Sequence, residues 1–180
     1  INPGLNLLAN VTSINGNFGN VTANNATFAG NVTFTGVVTL PSSTNSSYTS
    51  NIVPAANLSY NLGSTTAWWN NIYGTAIHAQ YADLAERFET DTMYDPGTVV
   101  ELGGAAEITA VVNELSEEVF GVISTKAAFV MNGRAGDDST HPPVAVQGRV
   151  PVKVTGKIRK GDRLVSAGNG IARAGTKQEI

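Results

Sequence analysis

The first forty residues alternate short apolar stretches with breaks of Gly and Asn. The triplet Asn-Val-Thr occurs three times, beginning at Asn10, Asn20 and Asn31, so the spacing is ten and then eleven residues. In the last repeat, Val32, Phe34, Val38 and Leu40 keep a period of two, which is typical of a β-strand with one apolar face. An internal repeat of this kind is the unit of a larger architecture. The pattern therefore predicts a repetitive β-structure over residues 1–40.

One repeat is too small to be stable by itself. It holds one or two large apolar side chains, and each contributes about 1.5–3 kcal/mol when fully buried. Ordering a residue costs about 1–2 kcal/mol in backbone entropy, so about ten ordered residues cost more free energy than these side chains contribute. Three identical chains around one axis supply the missing contacts and cover the strand edges. We therefore predict a homotrimeric shaft, with a core formed by Val11, Phe18, Val21, Phe28, Val32, Phe34, Val38 and Leu40.

Charge divides the chain into two parts. All 25 charged residues lie at or after Asp83, whereas residues 1–82 hold 15 Asn and 19 Ser or Thr. Ordinary soluble domains carry about 25% charged residues, and disordered segments are usually charged and poor in aromatic residues. Residues 1–82 fit neither the ordinary soluble domains nor the disordered segments well. Disorder is the alternative to an ordered shaft. Residues 41–56 are predicted to be a linker because seven of the nine residues Ser42–Ser50 are Ser or Thr.

An aromatic cluster follows the linker in a stretch that still carries no charge. Beyond it, Ile77, Tyr81, Leu84, Ala85 and Phe88 are spaced four, three, one and three residues apart, which fits one face of a short helix. A junction module with one short helix is therefore predicted over residues 57–89. The side chains expected in its core or at a trimer interface are Trp68, Trp69, Ile72, Tyr73, Leu84 and Phe88. A sugar-binding platform is the alternative role for the tryptophans.

Residues 90–180 alternate short β-type stretches with turn signals such as Asp95-Pro96-Gly97, Asn132-Gly133 and Asn169-Gly170. This spacing predicts a small β-barrel or β-clip-like domain. A hairpin is predicted over Lys157–Val165, with a basic strand, a Gly-Asp turn and an apolar strand. The remaining strands are predicted over residues 98–102, 107–112, 121–124, 144–148, 150–155 and 163–167.

The charges of the second part are polarised along the chain. Residues 83–125 carry ten acids and one base, a net charge of −9, whereas residues 126–180 carry four acids and ten bases, a net charge of +6. Two opposite patches would steer one subunit onto its neighbour. The alternative is a set of solvated faces with scattered ion pairs, each of which is worth about 0–1 kcal/mol.

Catalytic and cofactor-binding signals are not found in the sequence. The chain has no cysteine, its two histidines, His78 and His141, are 63 residues apart, and it has no nucleophile elbow or phosphate-binding loop. Its net charge of −3 disfavours nucleic acid as a partner, and no apolar run is long enough to insert in a membrane. The segment Asp137–His141 lacks the acid spacing of a calcium loop and predicts a polar turn. We expect no enzymatic activity, no metal and no cofactor.

Two segments carry a resemblance to a known family. Asn61-Leu62-Gly63, Trp69 and Ile72-Tyr73 resemble the short β module that is repeated in bacteriophage tail fibres and related virion appendages. Tyr81–Phe88 resembles the stretch that joins such a module to a compact C-terminal β domain. The resemblance covers about residues 57–175 and continues through Asp95–Val100, Gly121–Ser124, Phe129–Asn132, Gly148–Val152 and Lys160–Asp162.

The resemblance implies an all-β protein: an elongated homotrimeric fibre shaft that ends in a small knob. Such a chain is a structural component of a bacteriophage fibre, a tail fibre of the virion, and contributes to attachment to the host surface. Its partners are copies of itself, other virion proteins, and a host surface polysaccharide or protein. A recognition loop is expected on the knob at Asn132, Arg134, Asp137, Asp138 and His141.

Two alternative functions stay open. The fibre would belong to a neck, baseplate or capsid appendage and dock another virion protein, or the chain would be a non-catalytic fragment of a polysaccharide-degrading spike. The chain is expected to continue at both ends.

Overall fold

The computed structural model describes Val38, Tyr48 and residues 51–180. Within the predicted shaft core, Val38 is exposed. The other shaft residues lie outside the described part, namely Val11, Phe18, Val21, Phe28, Val32, Phe34 and Leu40. The chain divides into two units, Ile1–Trp68 and Trp69–Ile180, which are treated separately below.

Regular structure in the described residues consists of eight β-strands, with no helix. The prediction of an all-β class is therefore confirmed for this part of the chain. The strands are β1 Asp83–Arg87, β2 Val99–Leu102, β3 Ile108–Ala110, β4 Val119–Ile123, β5 Phe129–Met131, β6 Pro143–Gly148, β7 Leu164–Gly168 and β8 Ile171–Ala174.

Six strands form one sheet in the order β3-β2-β4-β6-β1-β5, and β7 and β8 form a separate hairpin. All neighbours in the sheet are antiparallel except β1 and β5, which are parallel. Main-chain hydrogen bonds tie the hairpin to the rest of the unit: the Val99 amide donates to the Gly170 carbonyl at 2.9 Å, and the Ala172 amide donates to the Lys153 carbonyl at 2.9 Å.

The core is built on both faces of β2, because consecutive side chains of a strand point to opposite faces. Val100 belongs to one apolar cluster, with Ile108, Ile123 and Val144, and Phe88 and Phe120 pack against it. Val99 belongs to a second cluster with Val111 and Ala172, against which Val122 and Val152 pack. The hairpin thus covers one face of the sheet, because Ala172 lies on β8.

The predicted junction helix is wrong. Residues 83–87 form β1, and residues 76–82 have no regular structure. Leu84, Ala85, Glu86 and Arg87 all favour helices, but pairing with β5 on one side and β6 on the other overrides that preference. The burial of Asp83 and Ala85 shows the period of two that a strand requires.

The predicted Lys157–Val165 hairpin is also wrong. A turn does form there, with the Asp162 amide donating to the Arg159 carbonyl at 3.0 Å, but no strand precedes it. The hairpin forms instead around Asn169 and Gly170, whose φ angles are 52° and 69°. Positive φ at both central residues is the geometry that a two-residue hairpin turn favours.

Residues 150–155, predicted to be a strand, form only a single bridge between Val154 and Ala172. Pro151 lies in the middle of this segment and has no amide hydrogen to donate to a ladder. The segment therefore runs beside β8 and is held by bonds of Lys153 and Thr155 to Ala172.

Candidate functional site

Residues 51–81 expose an unusual amount of apolar surface. They have no strand or helix and no charged residue. Tyr73 retains 92% of its accessible surface. Large apolar side chains left exposed in such number mark an interaction site. The other large apolar side chains that stay exposed in the segment are Ile52, Val53, Leu58, Tyr60, Leu62, Trp68, Trp69, Ile72, Ile77 and Tyr81.

The six predicted junction residues do not form one core within a single chain. Trp68, Trp69, Ile72 and Tyr73 are exposed, whereas Phe88 packs edge-to-face on Phe120 with ring centroids 5.0 Å apart. Leu84 is half-buried on β1. That these side chains lie in a shared core remains a prediction, and it concerns chains that have associated with one another.

Local backbone structure explains the glycine of the Asn61-Leu62-Gly63 motif. Gly63 has a φ angle of 88°, a conformation that residues with a Cβ atom rarely adopt. A tight turn follows at once, in which the Ser64 amide donates to the Ala67 carbonyl at 2.9 Å. The Trp68 indole Nε1 donates to the Thr65 carbonyl at 3.1 Å, within this turn.

The predicted recognition loop is an ordered turn. Asp137 Oδ1 accepts hydrogen bonds from the Ser139 hydroxyl at 2.6 Å and from the Ser139 and Thr140 amides at 3.0 and 3.2 Å. The bond from the Ser139 hydroxyl is the main reason that the pKa of Asp137 lies below its ordinary value. Asp137 therefore shapes the loop, which confirms the predicted polar turn.

Arg87 of β1 anchors both ends of this loop. Its Nη1 donates to the His141 carbonyl at 2.6 Å and lies 2.8 Å from Asp138 Oδ1. Its own carbonyl accepts from Asn132 Nδ2 at 3.2 Å. Sequence reasoning missed this residue, although Arg87 is the single base among residues 83–125. Arg134, the fifth predicted loop residue, is exposed.

A buried polar pair fixes the start of the sheet. Ser124 Oγ donates to Asp83 Oδ2 at 2.5 Å, and the two residues retain only 4% and 5% of their surface. Ser124 Oγ also accepts the Lys126 amide at 3.1 Å, and the Asp83 carbonyl accepts the Ala128 amide at 2.9 Å. A buried carboxylate is costly unless it is hydrogen-bonded, so this pair sets where β1 meets the connection from β4 to β5.

Arg173 of β8 forms ion pairs with two carboxylates. It forms a two-pronged pair with Glu179, at 2.9 Å from Nη1 and 2.8 Å from Nη2, and its Nε donates to Glu114 Oε1 at 2.7 Å. The hydrogen bond from Arg173 lowers the pKa of Glu179 to about 2, with help from the Thr176 amide. The cluster therefore ties the last residues of the chain to the hairpin.

The stabilising effect of Glu179 should disappear in acid. A carboxylate with a lowered pKa stabilises the fold above its ordinary value of 4.5, and this contribution is lost as the pH falls toward about 2. Glu179→Gln should therefore melt at a lower temperature than the natural chain at neutral pH, and the two melting temperatures should converge between these values. Glu118→Gln, at an exposed carboxylate, is the matched control. A gap that persists unchanged to the acid end would contradict the pairing.

A cavity of about 690 Å³ opens between the sheet and the hairpin. Its walls are mostly aliphatic and come from β2, β4, β7, β8 and residues 148–152. Glu117, Arg149 and Glu179 are the charged residues on its lining. The volume falls within the range of about 300–1,000 Å³ that is usual for binding sites.

Other kinds of site receive no support from the described residues. In residues 51–180, no helix is long and apolar enough to cross a membrane. The same part of the chain brings no three His, Asp or Glu side chains together in a way that would hold a metal ion. Comparison with protein-family models, with curated proteins and with solved structures finds no match to this chain.

Proposed function

We propose that the chain is a structural component of a bacteriophage fibre, a tail fibre that assembles as a homotrimer and contributes to attachment to the host surface. The observation that carries the proposal is the segment 51–81. It is uncharged, has no strand or helix in the single chain, and exposes nearly all of its large apolar side chains.

A second copy of the same segment is the partner that suits this surface best. A charged partner surface would lose hydration against the segment without gaining an ion pair. Copies related by an axis bring identical apolar side chains together at each level and give the backbone strand partners. The repeats of residues 1–40 have the same composition and the same need for partners, which favours a continuous fibre.

The resemblance to phage fibres supports the identity of the assembly. The turn at Gly63 gives the Leu-Gly pair of the module a structural role, and a compact β unit follows the module as the resemblance implies. The fold alone would suit many functions, so the module is the feature that favours a phage fibre.

Attachment is proposed for the loop from Asn132 to Pro143. Loops held on a rigid scaffold commonly carry recognition, and Arg87 holds this one on β1. Three copies on one fibre would bind a repetitive host surface together, and such avidity exceeds the affinity of a single site by about 10²–10⁴-fold.

Light scattering and a competition assay test the two parts of the proposal. The purified chain should have a solution mass of three times 18.7 kDa, and an excess of it should reduce the adsorption of the phage that carries it. Arg134→Glu, which changes an exposed loop residue, should keep the mass and weaken the competition. A mass of one chain would contradict the homotrimer, and a trimer without competition would contradict the attachment role.

A further inference from the structure

The turn that precedes β7 concentrates positive charge. Within residues 157–163, which are termed the basic turn, the single acid is Asp162 and the bases are Lys157, Arg159, Lys160 and Arg163. All four bases are exposed, and none forms an ion pair with any residue that the structure describes. Four bases and one acid give the basic turn a formal charge of +3.

Asp162 shapes the basic turn without neutralising it. Its Oδ2 accepts the Arg159 amide at 2.7 Å, and its own amide donates to the Arg159 carbonyl at 3.0 Å. The Cα atoms at the two ends of such a turn lie within about 7 Å of each other, which is less than the Debye length of about 8 Å at physiological ionic strength. The bases therefore act together on an approaching anion.

Main-chain hydrogen bonds hold both ends of the basic turn on the C-terminal unit. Before the turn, the Thr155 amide donates to the Ala172 carbonyl at 2.9 Å. After it, the Arg163 carbonyl accepts the Gly175 amide at 2.9 Å. A partner would not have to order this backbone, which lowers the entropic cost of binding.

The charges near β8 cancel one another. Arg173 lies on β8, and Lys177 follows it as an exposed residue. Glu114 and Glu179 both pair with Arg173, so two acids stand against two bases. These side chains therefore leave the charge of the basic turn unchanged.

The charges on the other neighbouring segments almost cancel as well. Lys153, four residues before the turn, pairs with Asp95 at 3.5 Å. The cavity that is lined by the residue after the turn carries one unpaired acid, Glu117, and one unpaired base, Arg149. The exposed Glu118 follows Glu117 in sequence and lies outside that lining. Subtracting this one acid from +3 still leaves a local charge of +2.

A polymer with repeated negative charges suits this surface. An exposed pair with a single anion is worth little, so the basic turn would hold a small ion only weakly. A polymer engages several bases at once, and three copies of the turn on one homotrimer add avidity. The guanidinium groups of Arg159 and Arg163 match carboxylate and phosphate groups, with which they form two parallel hydrogen bonds.

A polysaccharide suits the basic turn better than a nucleic acid does. No aromatic residue follows Phe129 in the chain, so the turn and the segments beside it offer no ring on which single-stranded bases could stack. A duplex carries one negative charge per about 1.7 Å of its axis and needs an extended basic face, whereas residues 83–125 have a net charge of −9. A sugar polymer with one anionic group per repeat needs only a small basic site.

We infer that the basic turn binds an anionic polysaccharide of the host surface through the carboxylate or phosphate groups of its sugar units. The inference rests on the proposed attachment to the host surface. It adds a second site, with a stated ligand chemistry, in a different part of the C-terminal unit from the loop of residues 132–143.

Binding of the full chain to immobilised polysaccharides tests the site. Polygalacturonate supplies carboxylate groups, phosphomannan supplies phosphate groups, and dextran is the uncharged control. We expect binding to at least one charged polymer and none to dextran, and the stronger of the two signals identifies the anionic group. Because salt screens exposed charges, the affinity should fall about tenfold between about 50 mM and about 300 mM salt. An affinity that does not change with salt would contradict the role of the bases.

A matched pair of charge reversals locates the binding. Lys160→Glu changes the basic turn, and Lys126→Glu changes an exposed and unpaired lysine on the connection from β4 to β5. Each variant lowers the net charge of the chain by the same amount. Lys160→Glu should weaken binding about tenfold and Lys126→Glu less than about twofold, with a thermal melt to verify the fold of both. Equal losses would reflect net charge alone and would overturn the site.

The outcomes separate this inference from the attachment role. A chain that competes with phage adsorption but binds neither charged polymer would overturn the polysaccharide site and keep the attachment role. A chain that binds a charged polymer through Lys160 but does not compete would support the site and contradict the attachment role. A short DNA duplex that binds as tightly as the polymers, and that also loses affinity in Lys160→Glu, would overturn the choice of a polysaccharide.

Discussion

Replacing Ile72 and Tyr73 with aspartate should convert the proposed homotrimer into monomers. The two side chains retain 67% and 92% of their surface in the single chain, so the substitutions cost little within one protomer. In a homotrimer they would place six carboxylates close to the common axis. Taking an unpaired charge out of water costs several kcal/mol per ion, and each lost apolar side chain removes about 1.5–3 kcal/mol more. These terms together exceed what a typical micromolar association, worth about 8 kcal/mol, can withstand.

The measurement is the solution mass by light scattering, with a thermal melt to verify that the C-terminal unit stays folded. Met93→Asp is the matched control, because Met93 is an equally exposed apolar residue outside the uncharged segment. We expect the control to keep the mass of three chains and the double variant to show the mass of one. A double variant that stays trimeric would remove the junction side chains from the interface.

Much of the fold follows from local patterns in the sequence. The turn signals of residues 90–180 and the short apolar stretches between them predict strands that overlap β2, β3, β4, β6 and β7. The polar turn of residues 137–141 is predictable for the same reason, since Asp137 bonds to residues two, three and four positions away. Hairpin placement shows the limit of such patterns. Gly161-Asp162 and Asn169-Gly170 both signal turns, but only the second leads directly from one strand into the next.

The errors concern contacts between residues that are far apart in the chain. Asp83 lies within the segment predicted to be a helix, and its carboxyl group accepts a hydrogen bond from Ser124, 41 residues away. Arg87 looks like a surface charge until the loop closes on it from 54 residues away. The cavity between the sheet and the hairpin likewise takes its walls from separate strands. Local propensity is a weak guide at such places because tertiary pairing decides the outcome.

Replacing Gly148 with alanine should be the most destabilising of the glycine-to-alanine substitutions in the C-terminal unit. Gly148 has a φ angle of 106°, in a region that residues with a Cβ atom rarely adopt. An added Cβ would also collide with the Ala82 carbonyl oxygen and lie 2.8 Å from Asp83 Cα. Both obstacles are main-chain atoms, so no side-chain rotation relieves the collision.

The expected loss follows from these two causes. Backbone strain of this kind costs about 1–3 kcal/mol, and overpacking against fixed atoms costs about 1–3 kcal/mol more. Since a loss of 1 kcal/mol lowers the melting temperature of a domain of this size by about 4–8 °C, we expect a decrease of about 10 °C or more.

Gly161→Ala separates the two causes of that loss. Gly161 also has a positive φ, of 96°, but an added Cβ there would meet no atom within 4 Å. Thermal unfolding followed by circular dichroism should therefore show a small decrease for Gly161→Ala and a large one for Gly148→Ala. Equal decreases would mean that the approach of β6 to Ala82 contributes nothing to stability. Gly148 pairs with Asp83 in the register of β6 and β1, and the uncharged segment enters the sheet at that point. A large decrease specific to Gly148 would therefore mean that the close packing of β6 against Ala82 is needed where the uncharged segment enters the sheet.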